Sequence, residues 1–85
     1  MAAYNIFFKR SVEKDFKTIP KKYLNRILAC IKKLAEDPRP SGSEKLTGQE
    51  RYRLRQGLYR IVYSIQDKEL TICVINVGYR KDVYR

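Results

Sequence analysis

Ten residues, Arg51–Arg60 (RYRLRQGLYR), constrain this chain more than any other stretch. Arg51, Arg53 and Arg55 alternate with Tyr52 and Leu54. In an extended strand successive side chains point to opposite faces, so this spacing puts three guanidinium groups on one face and apolar groups on the other. Gly57 then allows a turn, and Tyr59-Arg60-Ile61-Val62-Tyr63 starts a second strand that carries one more arginine. If Tyr59, Ile61, Tyr63 and Ile65 face one way, Arg60 and Val62 face the other. Whether Arg60 shares a face with Arg53 and Arg55 depends on the strand register, which the order of residues leaves open. A row of arginines on a rigid sheet suits a phosphate chain, and it equally suits a solvated face with no partner.

The flanking segments complete a small set of elements. Tyr4–Phe8 is aromatic and β-rich and reads as a first strand. Ser11 is placed to cap a helix over Val12–Lys17, with Glu13 and Asp15 in its first turn. Pro20 breaks that segment and can open the next helix. Over Lys21–Glu36, Leu24, Ile27, Leu28, Ile31 and Leu34 keep the spacing of an amphipathic helix. The lysines and Arg26 of its other face read as solvated. Asp37–Gly42 is a loop, and Thr47–Glu50 a polar turn before the arginine strand. A strand over Tyr59–Gln66, a tight turn at Asp67-Lys68 and a strand over Glu69–Val77 finish the meander. The apolar middle of ELTICVINV suits a central strand covered on both sides, and Gly78 ends it. The expected fold class is α+β: an N-terminal strand and a two-helix hairpin packed on a mainly antiparallel four-stranded sheet.

The 85 residues predict one domain over 1–85. The net charge of +10, from 19 basic and 9 acidic residues, favours a polyanionic partner such as nucleic acid, or an acidic protein competing for the same surface. No apolar run approaches the ~20 residues of a membrane helix, and the N-terminus lacks the marks of a secretory signal, so a cytoplasmic location is expected. Histidine is absent, which removes the commonest general base and the commonest zinc ligand. Cys30 and Cys73 lie among aliphatics and read as buried reduced thiols. No metal and no cofactor is expected.

SVEKDFKTIP, the helix ending in DPRP, then KLTG, YRLRQGLYRIVY and VGYRKDVY follow one another in an order and spacing that resembles the RelE branch of the RelE/ParE toxin superfamily. The resemblance covers nearly the whole chain. It implies the microbial-RNase-like RelE fold and a ribosome-dependent endoribonuclease that cuts mRNA in the A site. It also implies a RelB-like antitoxin as the neutralising partner, with the ribosome, its 16S rRNA and mRNA as the other partners. Carried over by position, Arg53 and Arg55 are the basic pair that binds the RNA backbone. Arg60, Arg80 and Tyr84 are the catalytic set, and Lys45 and Lys81 are further RNA-binding candidates.

The chemistry can be weighed on its own terms. Cutting RNA by its own 2′-hydroxyl needs a base for that proton, charge stabilisation of a phosphorane, and an acid for the leaving 5′-oxygen. Guanidinium groups at Arg60 and Arg80 suit the second task, because each can bind two phosphate oxygens. Tyr84 could serve as the base if neighbouring cations lower its pKa, and Lys81 is a candidate acid. The roles of acid and base stay open. Two other readings share these residues: a ParE-like toxin that inhibits DNA gyrase without cutting RNA, and a non-catalytic basic module that binds ribosome or RNA.

Overall fold

The chain enters its sheet at once and leaves it for two helices. The computed structural model describes residues 3–46, 48 and 50–79. Strand β1 (Asn5–Phe8) leads into helix α1 (Arg10–Lys17) and then helix α2 (Lys21–Leu34). Four strands follow: β2 (Glu44–Lys45), β3 (Arg51–Gln56), β4 (Tyr59–Gln66) and β5 (Thr71–Tyr79). They form one five-stranded sheet in the order β1-β5-β4-β3-β2, antiparallel except where β1 runs parallel to β5. The α+β class and the helix pair on a mainly antiparallel sheet are borne out. The strand count is five rather than four, because Glu44 and Lys45 add a short edge ladder to β3.

The start of α1 corrects the expected cap. Lys9, not Ser11, precedes the helix, and no side chain caps it. The Lys9 amide donates to the Val74 carbonyl at 2.9 Å, and the Lys9 carbonyl accepts from Val12. The last ladder bond of β1 thus runs directly into the first turn, which leaves Ser11 inside the helix. Pro20 does open α2, its carbonyl accepting from Tyr23 and Leu24. Ile27, Ile31 and Leu34 bury one stripe of α2. The helix stops at Leu34, two residues before the expected Glu36, and the Ala35 carbonyl accepts from the Tyr4 amide at 2.8 Å. That bond ties the end of the helix pair to the start of the sheet.

Both helices bury their apolar stripes in one cluster. Val12, Ile19, Ile27, Ile31 and Leu34 meet Leu54, Tyr59, Ile61, Tyr63, Ile65, Ile72, Val74 and Val77 there. Burial of this kind is the main stabilising contribution in a domain this small. Directly opposed residues share a face of a sheet, so the register Leu54↔Ile61↔Val77 and Tyr52↔Tyr63↔Val74 defines the helix-bearing face. Cys30 and Cys73 are free and only partly buried, in place of the buried thiols expected. Cys30 packs at the rim of the cluster, and burial pushes its thiol pKa up.

Strand β5 explains why its sequence misled. The register slips between Val62 and Tyr63, so that Val62 opposes Asn76 while Tyr63 opposes Val74. Ile75 is the extra residue of a β-bulge, and a one-residue insertion inverts the alternation beyond it. Ile72 and Val74 face the helices before the bulge, and Val77 faces them after it. The continuous apolar run therefore records a change of parity, not a strand covered on both sides. Gly78 does not end the strand either: it lies inside the ladder opposite Arg60, and β5 runs on to Tyr79. The expected tight turn at Asp67-Lys68 is a single 3-10 turn, Asp67–Glu69, closed by Leu70 in the left-handed conformation (φ 49°). No helix of the described residues is long and apolar enough to cross a membrane.

Candidate nucleic-acid interface

The face turned away from the helices carries the arginines. Gly57, with φ 60°, takes the first central position of the two-residue loop joining β3 to β4, the placement a type II′ hairpin turn favours. That hairpin fixes the register left open by the sequence. Arg55 opposes Arg60, Arg53 opposes Val62 and Arg51 opposes Ser64. All four arginines share one face. On β5, Gly78 opposes Arg60 and Asn76 opposes Val62, so the bulge at Ile75 delivers both residues to the arginine side.

The four arginines differ in how they are held. Arg51 and Arg55 are exposed, whereas Arg60 is 4% exposed. Gly78 adds no side chain to this rung, so Arg55–Arg60–Gly78 presents two guanidinium groups. Arg53 donates through Nη2 to Glu44 Oε2 on the adjacent strand. Glu44 opposes Arg53 in the β2–β3 ladder, so this carboxylate sits on the arginine face. An open cleft of about 730 Å³ borders the same face, lined in part by Arg51, Val62, Asn76 and Gly78. Asp15 reaches its rim from α1 and accepts from the Val77 amide at 3.2 Å, which satisfies a β5 donor lying beyond the end of β1.

Lys45 does not join this group. It opposes Tyr52, which places it on the other face of the sheet, and its Nζ lies 3.7 Å from Glu50. Arg80, Lys81 and Tyr84 lie outside the described residues. The arrangement of the remainder can bind a polyanion: it is a row of forked donors on rigid strands.

A sequence model of the family described as ParE toxin of the type II toxin–antitoxin system, parDE, matches residues 6–84. The chain belongs to this toxin family. It is similar to Toxin RelG of Mycobacterium tuberculosis, with 27% identity over 86 residues that span 96% of this chain and 97% of that protein. Its fold matches RelE in the archaeal RelE–RelB complex from Pyrococcus horikoshii, at 28% identity and a TM-score of 0.83, over 92% of this chain and 96% of that one. The isolated Escherichia coli RelE toxin matches at 26% identity and a TM-score of 0.79, over 96% and 92% of the two chains. It is a RelE-like toxin of a toxin–antitoxin system.

Two features of the toxin were not foreseen from its sequence. One is Glu44, whose approach to Arg53 depends on a two-residue strand that periodicity does not reveal. The other is a clamp at the rim of the sheet. Arg39 donates to both carboxylate oxygens of Asp67, at 2.8 and 3.3 Å, and to the Tyr52 hydroxyl at 3.1 Å, while the Tyr4 hydroxyl donates to Asp67 at 2.7 Å. The hydrogen bond from Arg39, with that from Tyr4, holds the Asp67 carboxyl below its usual pKa. The same contact with Asp67 raises the pKa of Tyr4. The loop after α2 is further moored by the Tyr63 hydroxyl, which donates to the Pro38 carbonyl at 2.8 Å. Tyr63 stacks on Tyr52, and burial pushes its pKa up to about 12. Tyr52, Tyr59 and Tyr63 thus serve core and cross-strand packing.

Proposed function

We propose that this toxin is an endoribonuclease that cuts mRNA in the ribosomal A site, and that a RelB-like antitoxin silences it. The observation that carries the reading is the rung Arg55–Arg60–Gly78, with Arg53 beside it on the same helix-free face. Arg53 and Arg55 bind the RNA backbone. Arg60 stabilises the charge that grows on the phosphorane as the 2′-hydroxyl attacks, and Arg80, two positions after Gly78 in sequence, shares that task. Tyr84 is the candidate base for the 2′-hydroxyl proton, and Lys81 contributes positive charge. The attack forms a bond from O2′ to phosphorus and breaks the bond to O5′, leaving a 2′,3′-cyclic phosphate and a 5′-hydroxyl. The positive charge comes from arginine, so the proposed reaction is metal-independent.

RelE–RelB complexes among the related structures support a RelB-like antitoxin as the natural inhibitor, and the net charge of +10 favours an acidic segment in it. Covering the arginines neutralises the same charges that RNA needs. A reaction on translating ribosomes is a cytoplasmic one.

Primer extension on programmed ribosomes tests the proposal. The toxin should produce A-site cuts, and Tyr84→Phe should abolish them while ribosome binding is kept. Intact mRNA at saturating ribosome concentration overturns the reading. The family match is to a ParE description, so gyrase inhibition is the second reading. Loss of supercoiling activity together with intact mRNA would establish it.

A further inference from the structure

Phe7 and Phe8 are neighbours on the edge strand β1 with opposite surroundings. Phe8 turns toward the helices, and its ring meets Phe16 of α1 edge-on at 5.7 Å. Phe7 is 57% exposed, and no aromatic ring among the described residues contacts it. Its register partner is Cys73, which opposes Ser64, which opposes Arg51. Phe7 therefore stands on the arginine face, in the same rung as Arg51 and three strands away. At the usual strand spacing that separation is about 14 Å, a few nucleotides of extended single strand. The next rung of this face is polar: Asn5 opposes Thr71, which opposes Gln66.

An exposed phenyl ring on a face that gathers four cations is a poor fit to solvent and a good fit to a nucleobase. Sheets that bind single-stranded nucleic acid combine a basic track for the backbone with aromatic rings on which bases stack. Resting on the RNA-cutting reading above, we propose that Phe7 is a stacking platform for a base of single-stranded RNA whose backbone follows the arginines. Asn5, two residues before it on β1, stands beside it as a donor and acceptor for that base, and Gln66 lies two strands away on the same face. Charge complementarity favours RNA over a protein segment here, since among the described residues the face presents Arg51, Arg53, Arg55 and Arg60 against the carboxylates of Glu44 and, at the cleft rim, Asp15.

The chain has no tryptophan, so Phe7→Trp adds a lone indole reporter at the platform. A fluorescein-labelled single-stranded hexaribonucleotide would be titrated by anisotropy at several salt concentrations. Phe7→Leu, which keeps apolar bulk but loses the ring face, should weaken binding about tenfold at unchanged salt slope. Phe7→Trp should bind as the parent does, with its emission quenched by the RNA. Arg55→Ala should instead lower the salt slope. Equal affinity of Phe7→Leu, or unquenched indole emission, overturns the platform and leaves the cleavage reading standing. Absence of binding by the unsubstituted toxin also overturns the platform, while ribosomal cleavage decides the other reading separately. If Phe7→Leu leaves RNA binding intact and weakens the antitoxin complex, this edge belongs to a protein partner and the platform falls.

Discussion

Tyr63 and Arg60 are both buried on β4, one on each face of the sheet, and they are buried to different ends. Tyr63 is 0% exposed beneath the helices, stacked on Tyr52 and bonded to the Pro38 carbonyl. Removing it from water stabilises the fold, and its hydroxyl is satisfied locally. Arg60 is 4% exposed on the face without helices, between Arg55 and Gly78. A buried guanidinium adds little to a fold beyond what its contacts return, since desolvating a charge is costly. One face of the strand thus holds the toxin together, and the other carries the charge that the proposed function assigns to a ligand.

Substitutions on the two faces should separate these roles. The largest effect is expected from Tyr63→Ala, which leaves a cavity in the cluster and should cost about 3–5 kcal/mol in urea unfolding. RNA cleavage should then fall only because the chain unfolds. Removing the hydroxyl alone, in Tyr63→Phe, leaves the Pro38 carbonyl without its donor and should cost about 1 kcal/mol, with cleavage unchanged. A change in cleavage by a folded Tyr63→Phe protein would break the division between the faces.

The same division sets the pH dependence of stability. The folded-state pKa of Tyr63, about 12, lies above the ordinary tyrosine value near 10 because burial disfavours phenolate. Its contribution is therefore complete below pH ~10 and lost as pH rises from there toward 12. Asp67 behaves in the opposite sense. Its depressed pKa gives a contribution present above pH ~4 and lost as pH falls through the folded value. Thermal melts across pH should show a smaller alkaline loss in Tyr63→Phe than in the parent, the remainder coming from the raised groups Tyr4 and Cys30. The acid loss should shrink in Arg39→Met, which removes the cation that faces Asp67 and leaves the Tyr4 hydrogen bond.

The smallest effect is expected at Glu44. If Arg53 binds RNA as proposed, its bond with Glu44 competes with phosphate. Glu44→Gln should tighten RNA binding a few-fold at low salt and barely move the melting temperature, as befits a solvent-accessible ion pair. Weaker binding would mean that Glu44 positions Arg53 instead of competing for it.

Much of this division was legible in the chain. Alternation in RYRLRQ and YRIVYSIQ assigned the two faces of β3 and β4, and the spacing of Ile27, Ile31 and Leu34 assigned the buried stripe of α2. Register was not legible, because period-two patterns align equally well at any even offset. The hairpin at Gly57 decided that Arg55 meets Arg60. The bulge at Ile75 was hidden for the same reason: an inserted apolar residue looks like a strand buried on both sides. Contacts between residues distant in sequence, such as Arg39 with Asp67 and Glu44 with Arg53, leave no periodic trace. The position of Phe7 on the arginine face likewise depends on a parallel pairing with β5.

The most direct test of the arginine face is the rate of A-site mRNA cleavage on programmed ribosomes by the parent toxin and by the double substitution Arg53→Ala/Arg55→Ala. Neither arginine belongs to the buried cluster, so the double variant should melt within a few degrees of the parent. Each guanidinium removed takes away a charge-assisted hydrogen bond to phosphate worth about 1.5 kcal/mol or more, so cleavage should slow at least about a hundredfold. Cleavage by the folded double variant at the parent's rate would contradict the assignment of this face to RNA.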